Sequence, residues 1–291
     1  MKKLLFQFDT DPLPSVFDTV VAYDGGADHV AAYGGVNPQN VGALVEGTIF
    51  TRAPKDKKYI AIFIGGSKLE DGQALLKAVQ KKFFGDFRVS VMLDSNGSNT
   101  TAAAAVAHLT KGGSIAGKRA VVLAGTGPVG QRAAVMLAQE GAEVILTSRQ
   151  MERAENACQL MKERFGVSIR PAVCVFDETT IKQVLEGAQI VVATGAAGAH
   201  LLEEHHWKDH PTIEMMADAN ATPPLGISGI DMMDRGKERY GKIVFGAVGF
   251  GGLKITLHRA CIARLFERND QILDAEAIYA LAKALAWSED E

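Results

Sequence analysis

A glycine turn between a predicted strand and a predicted helix limits the possible folds of this chain more than any other feature. The apolar run 120–123 is followed by Gly125-x-Gly127-x-x-Gly130 and then by a helical pattern over 131–140. In that context the first glycine permits a tight turn, the second lets a pyrophosphate approach the backbone, and the third lets helix and strand pack closely. The free N–H groups at the helix start add an anion site. The sequence therefore predicts a Rossmann-type dinucleotide-binding domain, and a glycine turn kept only for packing is the alternative.

The residues after the next predicted strand, 142–147, indicate which dinucleotide the turn would bind. A site for NAD places an acidic residue at the end of that strand, where it accepts a hydrogen bond from the ribose 2′-hydroxyl. This chain instead has Ser148 and Arg149 there, and Arg153 follows one helical turn later. A guanidinium group forms charge-assisted bonds with phosphate, and a cation at a helix start opposes the helix dipole unless an anion lies nearby. The sequence therefore favours NADP, and a solvated Arg149 is the alternative.

A proline-containing segment, 220–226, adds one further candidate to the cofactor site. It follows a predicted strand, and Asn220 at its start borders the nicotinamide in one interpretation and only begins a turn in the other. The predicted cofactor-binding residues are Gly125, Thr126, Gly127, Pro128, Val129, Gly130, Ser148, Arg149, Arg153 and Asn220.

The length and composition are those of a globular protein with two domains. The chain has 291 residues, 47% of them hydrophobic and 22% charged, which is ordinary for a soluble protein. A net charge of −3 gives no reason to expect nucleic acid or an anionic membrane as a partner. The widely spaced Cys158, Cys174 and Cys261 predict reduced core thiols rather than a disulfide or zinc framework. No stretch approaches the length of a membrane span, so the expected compartment is the cytoplasm.

Strand and helix patterns alternate along the chain, which predicts mostly parallel sheets covered by helices. In the N-terminal part, apolar runs predict strands at 3–8, 59–64 and 88–93, and Ser67-x-x-Glu70 predicts a capping box ahead of a helix. Further strands are expected near 169–175, 188–193, 212–216 and 242–245, and helices at 253–266 and 275–287. We expect two α/β domains with a cleft between them, a substrate domain at 1–112 plus 253–291 and a Rossmann domain at 113–252.

Three segments are candidate substrate loops, because ligands of α/β proteins bind at the carboxyl ends of strands. The segment 17–26 carries the carboxylates of Asp18 and Asp24 and the phenol of Tyr23. The segment 249–254 ends in Lys254, which is predicted in the first turn of a helix, where the dipole lowers the pKa of a lysine; a solvated lysine is the alternative. The polar segment 94–101 supplies Asp94, Ser95, Asn96, Ser98, Thr100 and Thr101.

The histidine-rich segment 200–210 invites a metal interpretation, which the sequence does not favour. It contains His200, His205, His206 and His210 but no His-Glu-x-x-His motif. We therefore predict a solvated helix within the nucleotide domain and no metal site.

Taken together, these segments resemble the NADP-dependent methylene-tetrahydromethanopterin dehydrogenases of methylotrophic bacteria, including those that also accept methylene-tetrahydrofolate. The matching strings are LLFQFDTD at 4–11, YDGGADH at 23–29, MLDSNGSNTT at 92–101, VVLAGTGPVG at 121–130, PPLGISGID at 223–231 and GGLKITLHRAC at 251–261. The resemblance covers nearly the whole chain, and apart from the glycine turn its strings are specific.

The resemblance implies reversible hydride transfer from a methylene-tetrahydropterin to NADP+, without metal or flavin. It implies a homo-oligomer, either a trimer or a hexamer. The substrate-site lysine of the family falls on Lys254, its substrate-loop threonine on Thr101, and its acidic N-terminal motif on Asp18 and Asp24. These four are the predicted catalytic residues. Tyr23 and the polar residues of 94–101 join Lys254 as predicted substrate-binding residues.

Two other functions fit part of the sequence. A shikimate- or amino-acid-type dehydrogenase also joins a substrate domain to an NADP domain, but its lysine lies in the N-terminal domain, whereas Lys254 follows the nucleotide domain. A non-catalytic NADP-sensing protein would keep the glycine turn and Arg149 but would not need the polar segment 94–101.

Overall fold

The computed structural model describes residues 1–288 and contains two compact units. Unit 1 consists of residues 1–100 and 255–281, and among the described residues unit 2 consists of 101–254 and 282–288. The domain boundaries expected from the sequence, at 112/113 and 252/253, stay a prediction. Among the described residues, no helix is both long and apolar enough to cross a membrane.

Strands and helices alternate along most of the chain. The strands are β1 Leu4–Asp9, β2 His29–Tyr33, β3 Ile60–Gly65, β4 Ser90–Leu93, β5 Arg119–Leu123, β6 Glu143–Ser148, β7 Arg170–Val173, β8 Ile190–Ala193, β9 Met215–Asp218, β10 Arg235–Arg239, β11 Lys242–Phe245 and β12 Ile272–Leu273. The helices are α1 Val16–Asp24, α2 Val41–Phe50, α3 Leu69–Gln80, α4 Ser98–Thr110, α5 Pro128–Gln139, α6 Met151–Phe165, α7 Glu178–Leu185, α8 Ala247–Leu265 and α9 Ala275–Ser288.

Unit 1 contains a five-stranded sheet in which every pair of neighbours is parallel, in the order β12-β4-β3-β1-β2. Its central strand β3 is buried along its whole length, as expected for a parallel sheet with both faces covered. The core includes Phe8, Val45, Ile62, Leu75 and Val91. The chain moves from β1 to β2 on one side and then to β3 on the other. The strand order therefore reverses at β1/β3, where the carboxyl ends of the strands leave a crevice.

Unit 2 contains a seven-stranded sheet in the order β10-β11-β9-β8-β5-β6-β7, parallel except for the edge strand β10. Its order reverses between β5 and β8, which is the Rossmann arrangement. The core on one face includes Val121, Ile145, Val191, Trp207 and Met216. Two parallel α/β sheets, the second of Rossmann type, confirm the predicted fold class.

Several local predictions were wrong. The expected capping box does not form, because α3 begins at Leu69 after Lys68, and the Ser67 hydroxyl donates instead to Asp11 Oδ1 at 2.9 Å. The segment 17–26, predicted as a loop, is largely helix α1. The histidine-rich segment is not an α-helix but contains only the short 3₁₀ helix Glu204–His206.

The three cysteines are free and buried, as predicted. Burial raises the pKa of the Cys158 thiol to about 11, and it also raises the pKa values of Cys174 and Cys261. Thiols with raised pKa values stay protonated at neutral pH and are poor nucleophiles, which agrees with a role in the core.

Candidate active site

The glycine turn joins β5 to α5 at the carboxyl edge of the unit 2 sheet. The backbone turns at Ala124, whose φ of 51° lies in the left-handed region, so Gly125 itself does not supply the positive φ. A Cβ on Gly125 would instead lie 2.9 Å from Leu146 Cγ. A Cβ on Gly130 would lie 2.5 Å from the Gly125 Cα and 2.6 Å from Thr194 Oγ1. The first and third glycines therefore allow close packing, which was expected for Gly130 only.

The start of α5 has the properties of an anion-binding site. Its N-cap residue Gly127 provides no side-chain hydrogen bond, and Pro128 follows at the first helical position. A Cβ on Gly127 would meet no atom within 4 Å, so the space in front of these N–H groups is open. Thr126 is held by the Gln131 side-chain amide, which donates to its carbonyl at 2.9 Å. Free backbone N–H groups at a helix N-terminus attract phosphate through hydrogen bonds and the helix dipole.

The end of β6 carries cations where an NAD site would carry a carboxylate. Ser148 is the buried last residue of the strand, and Arg149 is exposed directly after it. Arg153 is exposed in the first turn of α6. The first acidic residue after the strand is Glu152, inside α6. These side chains offer a hydroxyl and two guanidinium groups to a ligand at this edge.

Asn220 lies at the carboxyl edge of β9, and its side chain holds the loop that follows. Its amide donates to the Pro224 carbonyl at 3.1 Å, and its amide oxygen accepts from the Thr222 N–H at 2.9 Å. The adjacent Asp218 accepts from the N–H groups of Asn220 and Ile227 at 3.0 and 2.9 Å, while burial raises the pKa of this carboxyl. Contact between Asn220 and nicotinamide stays a prediction.

The polar segment 94–101 forms the junction between β4 and α4, and all of it except Thr101 belongs to unit 1. Asp94 Oδ1 accepts from the N–H groups of Asn99 and Thr100 at 2.8 and 3.2 Å, and Asp94 Oδ2 accepts from the Thr100 hydroxyl at 2.7 Å. Asp94 is completely buried. Its carboxylate therefore binds the start of α4. The sequence predicted that this carboxylate binds substrate, and that contact stays a prediction.

The same junction holds buried oxygen atoms without hydrogen-bond partners. Ser95 Oγ, Ser98 Oγ and Asn99 Oδ1 are buried and unpaired among residues 1–288. A buried polar atom without a partner is costly, so such atoms normally bind water or a ligand. Asn96 is exposed with a φ of 55°. Ser95 and Ser98 were predicted substrate-binding residues, whereas Asn99 was missed although it lies in the same polar string.

The predicted acidic residues lie at opposite ends of α1. Ser15 caps this helix by accepting from the Asp18 N–H at 3.2 Å, so Asp18 sits in the first turn. Asp24, at the last helical position, forms an ion pair with Arg259 at 2.5 Å, and both side chains are about half exposed. The Tyr23 hydroxyl accepts from the Val30 N–H at 3.4 Å. Their contacts with substrate stay predictions, and Asp24 already has a cationic partner.

The position of Lys254 differs from the one predicted. Helix α8 begins at Ala247 rather than at residue 253, so Lys254 is half-buried about two turns inside the helix. The helix dipole acts mainly within the first turn, and the expected effect on the lysine pKa therefore loses its basis. Thr101 is also half-buried and lies in the first turn of α4.

The crevice at β1/β3 contains polar residues that were not among the candidates. Asp9 Oδ1 and Oδ2 accept from the N–H groups of Asp11 and Ser15 at 3.0 and 3.1 Å, which folds the loop after β1. Ser67, in the loop after β3, donates to Asp11. The signal available in the sequence was the Asp-Thr-Asp string directly after the first strand.

Comparison with known proteins decides the family. The chain is 56% identical over 287 residues to the bifunctional protein MdtA of Methylorubrum extorquens (strain AM1), covering 98% of this chain and 99% of that protein. It is 31% identical to the NAD(P)-dependent methylenetetrahydromethanopterin dehydrogenase of the same organism, covering 94% and 95%. The chain belongs to the methylene-tetrahydromethanopterin dehydrogenase family. Residues 16–96 also match the family model for the N-terminal part of these enzymes.

Solved structures agree with this family at the level of the fold. The ligand-free 5-ketofructose reductase of Gluconobacter sp. strain CHM43 covers 98% of this chain and 99% of its own, with a TM-score of 0.53 and 16% identity. At that identity the likeness concerns the fold alone. The methylene-tetrahydromethanopterin dehydrogenase family therefore follows from the sequence matches, and the solved structure shows only a shared fold.

Proposed function

We propose that this chain catalyses the reversible oxidation of methylene-tetrahydromethanopterin to its methenyl form by direct hydride transfer to NADP+. Methylene-tetrahydrofolate is the second substrate that we propose. The near full-length match to two proteins of the family carries the proposal, because the geometry alone identifies a dinucleotide turn but no pterin.

A nicotinamide cofactor fits the start of α5. Its Gly127 leaves room for a pyrophosphate beside free N–H groups, and a bound NADP+ would accept the hydride. The preference for NADP rests on Ser148, Arg149 and Arg153, since a guanidinium group binds a 2′-phosphate bidentately. The relative named as NAD(P)-dependent agrees with a nicotinamide cofactor without distinguishing its two forms.

The chemistry limits the roles of the candidate catalytic residues. Hydride leaves directly from carbon, so the central step needs no general acid or base. The oxidised pterin carries a positive charge shared by two nitrogen atoms, which a nearby carboxylate would stabilise. We assign that role to Asp18 and Asp24 without ranking them, since both belong to the acidic N-terminal motif. Thr101 would hydrogen-bond the substrate.

Lys254 has a different role, because an ammonium group beside the cationic product would repel it. We propose that Lys254 binds a polar edge of the pterin or an aspartate partner. Replacing it in the Lys254→Ala variant should lower kcat/KM by about 100-fold, equivalent to about 2.7 kcal/mol. Unchanged kcat and KM for both substrates would contradict this role.

The proposed function is tested by mixing the purified chain with NADP+ and either methylene-tetrahydromethanopterin or methylene-tetrahydrofolate. We expect NADPH and the methenyl product, each followed by its absorbance, to form together in equal amounts. Absence of turnover with both pterins would contradict the proposal, and binding of NADP+ without turnover would favour a sensing protein. Light scattering would test the homo-oligomer, trimer or hexamer, that we also propose.

A further inference from the structure

Three side chains of the types that bind metal ions converge on one point of unit 2. Glu178 is the first residue of α7, and His205 and His206 lie in the 3₁₀ helix Glu204–His206. The Nε2 atoms of the two histidines lie 2.9 and 3.0 Å from the same Glu178 oxygen, Oε1. One nitrogen or oxygen atom from each side chain lies within 4.8 Å of the other two.

The backbone on both sides of this cluster is well anchored. Asp177 caps α7 by accepting from the Thr180 N–H at 2.8 Å, which places Glu178 at the helix start. Trp207, next to the histidines, is completely buried and donates from Nε1 to the Ser228 carbonyl at 2.9 Å. The histidine backbone is therefore held against the core while their rings point to Glu178.

The cluster borders an open cavity of about 510 Å³, which Lys182 and His210 also line. Glu178 and His205 are exposed, so an ion and its water ligands can reach them from solvent. The two histidines lower the pKa of Glu178, and burial, as the largest cause, lowers the pKa of His210. The cavity thus presents a carboxylate beside imidazole rings.

We propose that Glu178, His205 and His206 bind one divalent first-row transition-metal ion, of which Zn²⁺ is the representative. Two imidazole nitrogens and one carboxylate oxygen are a common ligand set for such ions, with the fourth position left to water. The cavity provides the space for that water. This proposal departs from the expectation that the histidine-rich segment binds no metal. The segment shows no metal-binding motif because the third proposed ligand, Glu178, lies on a different element, α7.

One contact must change when the metal binds. His206 Nδ1 accepts from the Glu203 N–H at 3.0 Å, which places the ring proton on Nε2. A metal ion at Nε2 moves that proton to Nδ1, which can then no longer accept, and the Glu203 N–H bonds to water instead. This bond lies at the exposed surface, where water replaces it readily.

The test is a calorimetric titration of the full-length, chelator-treated protein with ZnCl₂, repeated with Co²⁺ while the visible absorption of tetrahedral Co²⁺ is recorded. We expect one ion per chain with a Kd of about 1 μM or below. Glu178→Gln and His205→Gln should each weaken binding by about tenfold or more. These replacements are at exposed positions, and circular dichroism checks that both variants remain folded.

Two control variants make the result specific. His29→Gln removes an exposed histidine in β2, and Lys182→Gln changes the lining of the same cavity without removing a ligand. Both should bind Zn²⁺ like the parent. Absence of binding below about 1 mM, or equal binding by the parent, Glu178→Gln and His205→Gln, would overturn the proposal and leave a hydrogen-bonded cluster only. Dehydrogenase activity plays no part in this readout.

Discussion

The two strand-to-helix junctions of the candidate sites have opposite designs. At the β5–α5 junction of unit 2, the N-cap is Gly127, which offers the helix no side-chain acceptor. At the β4–α4 junction of unit 1, the buried Asp94 carboxylate accepts from two backbone N–H groups at the start of α4. The first junction therefore leaves its positive helix end to an external anion, whereas the second neutralises its own.

This difference indicates which kind of ligand each junction can bind. The α5 junction suits a phosphate, because backbone N–H groups recognise charge and require little from side chains. The α4 junction holds the buried hydroxyls of Ser95 and Ser98, which have no hydrogen-bond partner in the described chain. Under the proposed function, these hydroxyls would bond to neutral groups at the edge of a pterin. A dinucleotide turn can thus be shared by many dehydrogenases, whereas under the proposed function the polar junction would be specific to the substrate.

Exchanging the design of the α5 junction should have the largest effect. In Gly127→Asp, the new carboxylate would accept hydrogen bonds from the free N–H groups of α5 and would repel the pyrophosphate. We expect calorimetry to show NADP+ binding about 100-fold weaker or worse, equivalent to about 2.7 kcal/mol. The free energy of unfolding in urea should stay equal or rise by about 0.5–1 kcal/mol, as for an added cap.

The matched variant Gly127→Asn caps the helix without adding a charge, so its loss of NADP+ affinity should be clearly smaller. If Gly127→Asp binds NADP+ like the parent, the start of α5 is not the phosphate site and the contrast between the junctions fails.

The contrast also explains which parts of the molecule were predictable. The glycine turn is a local signal, since strand, turn and helix follow within about 20 residues of sequence, and both sheets follow from alternating strands and helices. By contrast, β2 and β10 are largely exposed edge strands. The only apolar run in β2 is the short, mostly small Val-Ala-Ala-Tyr, and β10 has none, so hydrophobic patterning gave little sign of either strand. The role of Asp94 as a cap of α4 could not be predicted, because a polar string in the sequence does not show whether its side chains bind the backbone or a ligand.

The start of α8 shows how packing overrides a local signal. Glycines at 249–252 predict a loop, yet the helix begins at Ala247 and continues through them. A Cβ on Gly249 would lie 1.8 Å from the Asp234 carbonyl oxygen, so this glycine lets α8 approach a neighbouring backbone. Phe250 and Leu253 are buried, which stabilises the helix in spite of its glycines. Because this contact between residues far apart in the sequence lets α8 begin at Ala247, Lys254 lies inside the helix rather than in its first turn.

Removing the internal cap of α4 should have the next largest effect. Asp94→Ala deletes a buried acceptor of three hydrogen bonds, and we expect a loss of about 2 kcal/mol in the free energy of unfolding. Urea denaturation measures this loss, and Asp94→Asn, which keeps one acceptor oxygen, should lose less. A loss below about 1 kcal/mol would show that the cap contributes little.

A smaller effect is expected at the end of β6. Arg149→Gln should raise the KM for NADP+ by about tenfold, equivalent to about 1.4 kcal/mol, because it removes a charged partner of the 2′-phosphate. The KM for NAD+, which lacks that phosphate, should not change. Lys162→Gln removes another cation of α6, near its opposite end, and should leave both KM values unchanged. An equal rise for both cofactors in Arg149→Gln would remove the basis for the NADP preference.

The smallest effect distinguishes a ligand-binding hydroxyl from a structural one. Ser95→Ala removes a buried hydroxyl without a partner in the described chain, so the free energy of unfolding should stay within about 0.5 kcal/mol of the parent. The KM for the pterin should rise about fivefold, equivalent to about 1 kcal/mol, because one hydrogen bond to substrate is lost.

Ser90 of β4 is the matched control, since its buried hydroxyl donates to the Arg268 carbonyl at 2.8 Å. Ser90→Ala should therefore lose about 1–2 kcal/mol of stability and keep its KM. If Ser95→Ala instead lost stability and kept its KM, the Ser95 hydroxyl would be a structural group. That result would contradict binding of the substrate at the α4 junction.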